Sequence, residues 1–112
     1  MKEYWSFSDK LIFKKGEPFL ELPSAVNKIL VLDNALVILL NYSIVIGNRN
    51  VFCYGFSKEL KWQVPPPEEF HDQNDFTGIY INDNALYAYN RNGVEYLLDK
   101  ESGKILFSQL IK

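Results

Sequence analysis

This sequence predicts an all-β fold, an antiparallel meander of about ten short strands arranged in two tandem repeat units. Three observations carry that expectation. The tetrapeptide Asp-Asn-Ala-Leu stands at 33–36 and again at 83–86, each time after a run of aliphatic, β-branched or aromatic residues. The runs belong to longer parallels, Ile29–Leu36 against Ile79–Leu86, and an apolar stretch follows each, ending at Asn41 or Asn90. No window of eleven or more residues places its apolar side chains at helical spacing.

Taken in order, the chain alternates two kinds of hairpin. Leu11–Phe13 and Pro18–Pro23 flank the turn Lys14-Lys15-Gly16-Glu17. Ser24–Ile29 is the one stretch read as helical, for a single turn. Ile29–Leu32 and the run from Leu36 form a hairpin with its tip at Asp33-Asn34, because Asp and Asn tolerate the left-handed backbone angles that a two-residue primed turn requires. Val51–Tyr54 then pairs with Leu60–Pro65 around Ser57-Lys58-Glu59. Ile79–Asn82 and Leu86–Asn90 repeat the first kind of hairpin around Asp83-Asn84, and Asn92-Gly93 is the strongest short hairpin signal in the chain. The last turn, Asp99–Gly103, leads into Lys104–Phe107, with Gly103 able to take a positive φ. Residues 65–75 break the rhythm: Pro65, Pro66 and Pro67 remove three backbone donors, so this acidic stretch reads as a long loop.

Composition narrows the functional classes. At 112 residues, 47% hydrophobic and 23% charged, the chain has the size for a single all-β domain over residues 1–112 with a buried core. A formal charge of −2 supplies no basic surplus to neutralise phosphates, so nucleic acid is not an expected partner. Cys53 is the only cysteine, which rules out an internal disulfide and a Cys-x-x-Cys metal site. The first ten residues hold no apolar core of the secretory kind, and the expected location is the cytoplasm. Ile29–Ile46 has the length of a membrane helix, but Asp33, Asn34, Asn41 and Ser43 interrupt it at turn-like places, so no membrane span is expected.

The fragments "YGFSKELKW" and "LLDKESGKILF" resemble the blade endings of quinoprotein-type β-propellers, in which a turn of the form Asp-x-x-x-Gly-Lys precedes an apolar pair and a Trp. Asp99, Gly103, Lys104 and Phe107 match in the second fragment, and Lys61 and Trp62 in the first. The resemblance covers most of residues 26–110 and implies a partial, half-propeller arrangement, since a ring closes with roughly four to eight blades. Stacking of the repeats as a two-sheet sandwich is the alternative. In size, charge and all-β character the chain also resembles small bacterial immunity proteins, a resemblance of kind that rests on no motif.

No residue set suggests a reaction. His71 is the only histidine and lies between Glu69 and Asp72 in the long loop; Cys53 alternates with Phe52 and Tyr54 and reads as a buried apolar residue. The glycines form no phosphate-binding loop, so neither cofactor, metal nor catalytic residue is assigned. The expected function is binding of a protein, with an immunity protein that neutralises a cognate bacterial toxin, such as a basic nuclease, as the leading reading. Glu68, Glu69, Asp72 and Asp75 would stand where phosphates lie in the nuclease, with Phe70 and Phe76 as apolar anchors. The alternative is a sheet-edge module that assembles with a copy of itself or with a larger protein, and the expected state is a monomer or weak homodimer. Tyr87 and Tyr89 share one face of a strand, and Tyr80 lies on its hairpin neighbour, so a tyrosine stripe is geometrically available.

Overall fold

Eleven antiparallel strands in three sheets make up the chain in a computed structural model that describes residues 4–66 and 73–110. The strands are β1 Trp5–Ser8, β2 Leu11–Lys14, β3 Glu17–Glu21, β4 Val26–Val31, β5 Ala35–Leu40, β6 Val51–Gly55, β7 Leu60–Gln63, β8 Phe76–Asn82, β9 Ala85–Asn90, β10 Val94–Leu98 and β11 Ile105–Leu110. Each sheet is a meander of consecutive strands: β1-β2-β3, then β4-β5-β6-β7, then β8-β9-β10-β11. The all-β expectation holds, and the two four-stranded sheets are the two repeats. The opening segment forms a third unit, because Trp5–Ser8 adds a strand to the expected hairpin of β2 and β3.

Ser24–Ile29 is not a helical turn. Val26, Ile29 and Val31 favour the pleated surface, and Val26–Val31 pairs along β5 as a strand. No helix among the described residues is long and apolar enough to cross a membrane.

The turns show local chemistry at work. Asp83 and Asn84 take φ of 50° and 64°, the pair of left-handed residues that a primed turn needs. Asp33 and Asn34 close their hairpin without positive φ, through the Leu32 amide donating to the Ala35 carbonyl at 2.8 Å. At Asn92-Gly93 only Gly93 is left-handed (φ 84°), and the loop from Asn90 to Val94 holds three residues rather than two.

Two cores separate the three sheets, so the middle sheet is covered on both faces. Every residue of β5 is buried. By strand alternation Ala35, Val37 and Leu39 join the core shared with the third sheet, beside Phe76, Ile79, Leu86, Ala88, Tyr96 and Leu98. Leu36, Ile38 and Leu40 join the core shared with the first sheet, beside Trp5, Ile12 and Leu22. A continuous apolar run is therefore what this strand needs, and the same run explains the false membrane-like signal. The closest approach between the second and third sheets lies along β4, β5 and β8, so these sheets converge towards their first strands.

A polar bridge joins them. Asn50 is fully buried; its side-chain amide donates to the Leu40 carbonyl (2.7 Å) and the Phe76 carbonyl (2.8 Å), and its Oδ1 accepts from the Phe76 amide at 2.9 Å. Trp62 on β7 makes a second joint, donating from Nε1 to the Lys100 carbonyl at 2.8 Å in the turn between β10 and β11.

Candidate functional site

Among the described residues, no element packs over the outer face of the third sheet. Register places Gly78 opposite Tyr89 and Tyr80 opposite Tyr87, and then Tyr89 opposite Glu95 and Tyr87 opposite Leu97. The outermost strand continues the face, with Leu97 opposite Phe107 and Glu95 opposite Gln109. Because Leu86, Ala88, Tyr96 and Leu98 point into the core, the alternate positions must point out. The face thus carries Tyr80, Tyr87, Tyr89, Leu97 and Phe107 around Glu95.

The tyrosines are held in place. Tyr80 and Tyr87 stack with ring centroids 5.1 Å apart and planes 15° apart, and Tyr89 tilts against Tyr80 at 6.4 Å. Gly78 makes room for this: a Cβ there would lie 2.0 Å from Cζ of Tyr89, so the Tyr89 ring covers bare backbone of the neighbouring strand. The Tyr80 hydroxyl donates to Glu95, whose other oxygen accepts from Gln109 Nε2 at 3.2 Å. Tyr89 is 36% and Phe107 is 58% exposed, a large apolar contribution for the surface of a sheet.

The hydrogen bond to the Glu95 carboxylate, with some desolvation and the Glu95 charge, pushes the Tyr80 phenol up to about 12. A phenol whose folded-state pKa lies above its ordinary value of 10.0 favours the fold fully below pH 10, and that contribution disappears as pH rises through about 12. An alkaline titration followed by tyrosinate absorbance is expected to include a late ionisation near 12 from Tyr80, which Tyr80→Phe should remove and Glu95→Ala should move to lower pH.

The residues assigned to partner binding from sequence fare differently. Glu68, Glu69, Phe70 and Asp72, with His71, lie outside the described residues. Asp75 and Phe76 do not present to a partner: they are 2% and 1% exposed. Asp75 accepts a two-pronged hydrogen bond from Arg91, Nε to Oδ1 at 2.9 Å and the terminal nitrogen to Oδ2 at 3.2 Å, and Phe76 opens β8 with its ring edge-on to Tyr96 at 5.4 Å. The Asp75 carboxylate raises the Arg91 pKa in turn. What looked like the end of an acidic loop is the start of a core strand.

The same holds for chemistry elsewhere. Cys53 is fully buried in the core between the second and third sheets, and burial pushes its thiol up to about 11, so it stays protonated and inert at neutral pH. Among the described residues no three His, Cys, Asp or Glu side chains gather as metal ligands.

Glu95, Leu97 and Phe107 belong to the face but were not picked out from sequence. The signal was present: Tyr96 and Leu98 alternate with Glu95 and Leu97 in β10, and the Asn92-Gly93 turn brings that strand beside Tyr87 and Tyr89.

Fold and face define an all-β protein of successive meander sheets that ends in an aromatic outer face. The chain belongs to the family described as a domain of unknown function, DUF7957, whose model matches residues 4–110. No curated protein matches. Among solved structures, the crystal structure of the computationally designed protein Ika8 is similar, with a TM-score of 0.62 and 14% identity over 94% of this chain. That alignment covers 35% of the designed protein, so this chain spans about a third of its length, and the likeness is one of fold.

Proposed function

We propose that this protein is a non-enzymatic binding module for another protein, of the kind that neutralises a bacterial toxin in the cytoplasm. The observation that carries the proposal is the outer face of the third sheet, where a rigid set of tyrosines surrounds a carboxylate. Tyrosine offers large apolar area with little rotamer freedom to lose and a hydroxyl at its tip, which is why it concentrates at the centres of protein interfaces. Glu95 in the middle suits a partner that brings a cationic side chain to an apolar surround. Glu68, Glu69 and Asp72 add negative charge by sequence to the segment between β7 and β8, and that charge would favour a basic partner such as a nuclease.

The test is calorimetry against the product of the adjacent gene. A complex at micromolar concentration or tighter is expected, weakened about tenfold or more by Tyr87→Ala or Tyr89→Ala. Absence of any complex removes the toxin-neutralising reading. A complex indifferent to both substitutions moves the interface off this face.

A second reading has its own observation. β11 is a sheet edge with Leu106, Phe107 and Leu110 all more than half exposed, a combination that invites edge-to-edge pairing. Concentration-dependent sedimentation would favour self-assembly through that edge.

A further inference from the structure

We infer that the cleft between β1 and β4 receives an extended peptide segment of a partner protein, which adds to β1 as a fourth, antiparallel strand. The inference goes beyond the tyrosine face, because the cleft lies between the first and second sheets and either surface can fail without the other.

Comparison of the three sheets motivates it. In the second and third sheets a turn of similar place in the repeat joins the last two strands, β6 to β7 and β10 to β11, and a first strand, β4 or β8, flanks the second. In the first sheet the corresponding last pair is β2 and β3, which leaves β1 in the place of β5 and β9. Among the described residues no strand takes the place of β4 and β8 there. That place is a groove lined by Trp5, Ser6 and Phe7 of β1 and by Asn27, Lys28, Ile29 and Val31 of β4, with a volume of about 420 Å³; the Lys28 ammonium itself is turned to the Ile79 carbonyl at 2.9 Å. A second hollow of about 430 Å³ shares Trp5 and Val31 and extends the cleft past Tyr4 and Phe56.

The backbone of β1 is oriented for such pairing. The Tyr4 carbonyl accepts from the Lys15 amide at 2.7 Å, so Tyr4 and, by alternation, Ser6 and Ser8 turn their amides and carbonyls towards β2. Trp5 and Phe7 turn theirs the other way, where no strand pairs with them among the described residues. Phe7 and Val31 are 39% and 43% exposed beside this free edge.

The occupant follows from what fills the same place elsewhere. β4 and β8 are single antiparallel strands of six and seven residues, and each turns apolar side chains, Val26 and Ile29 or Phe76 and Ile79, into the neighbouring core. The partner segment is therefore about five to seven residues in extended form, apolar at alternate positions and uncharged where it faces Trp5, Phe7 and Val31.

The test uses two synthetic peptides copying this chain's own residues 24–33 and 75–84, titrated into the full protein and followed by peptide anisotropy and by amide exchange at Trp5 and Phe7. Saturable binding of at least one peptide is expected, with both amides slowed about tenfold or more, and a scrambled peptide should do neither. Phe7→Pro removes an edge donor that β2 does not use, and Val31→Lys charges the opposite wall; each is expected to weaken binding about tenfold or more. If circular dichroism shows that Phe7→Pro disturbs the fold, Val31→Lys alone decides. No slowing of the two amides by either peptide overturns the proposal, as does binding that survives the substitutions. A homodimer that Val31→Lys dissolves also overturns it, since the occupant would then be a second copy.

Discussion

Replacing Asn50 by Ala is expected to lower stability by about 3 to 4 kcal/mol, because it strands three buried backbone groups at once. The side chain satisfies the Leu40 carbonyl at the end of β5 and both the carbonyl and the amide of Phe76 at the start of β8. None of these sites is open to water, since Leu40, Asn50 and Phe76 are all 1% exposed or less. Each orphaned group costs roughly 1–3 kcal/mol, and only partial relaxation of the joint can soften the sum. Urea denaturation measures it. Asn27→Ala is the control, because its bond to Asn41 is exposed and its loss should cost well under 1 kcal/mol. A loss below about 1 kcal/mol for Asn50→Ala would mean that the second and third sheets are not joined through this residue.

The second large effect is expected from Gly103→Ala, a loss of about 2 to 3 kcal/mol with a change in tryptophan emission. Two costs combine there. Gly103 has a φ of 75°, where any side chain is strained, and a Cβ would come within 2.4 Å of Cε3 of Trp62. The indole must then move, and its hydrogen bond to the Lys100 carbonyl goes with it. Gly16→Ala separates the contributions: its φ is 81°, but nothing lies within 4 Å of the added carbon, so it should carry only the backbone cost of about 1 kcal/mol and leave emission unchanged. Equal losses at the two glycines, with emission unaltered in both, would contradict the packing of Trp62 on the third sheet.

Much of this architecture could be read along the chain because hairpin chemistry is local. Lys15-Gly16, Asp83-Asn84, Gly93 and Gly103 take the left-handed angles their turns require, within a few residues of the strands they join. The tyrosine face was legible for the same reason: period two on β9 and a tight turn to β8 suffice to place Tyr80, Tyr87 and Tyr89 together. What escaped depends on distant partners. Trp5–Ser8 is only four residues long, and it becomes a strand through β2 and through a core supplied by Leu36, Ile38 and Leu40 some thirty positions on. Asp75 follows a polar, proline-rich stretch and looks solvated until Arg91, sixteen positions away, is seen to pair with it. Asn50 carries no local sign of its role, which appears only when Phe76 is brought beside Leu40. Gly78 carries no local sign that a tyrosine from the next strand lies over it.

In the proposed function a protein partner sits on the outer face of the third sheet. Hydroxyl-radical footprinting of the complex with the adjacent gene's product reads this directly, since aromatic side chains report their own accessibility. Protection of Tyr87, Tyr89 and Phe107, with the buried Phe76 and Tyr96 unchanged, is the predicted result. A complex in which those three remain as reactive as in the free protein would contradict it.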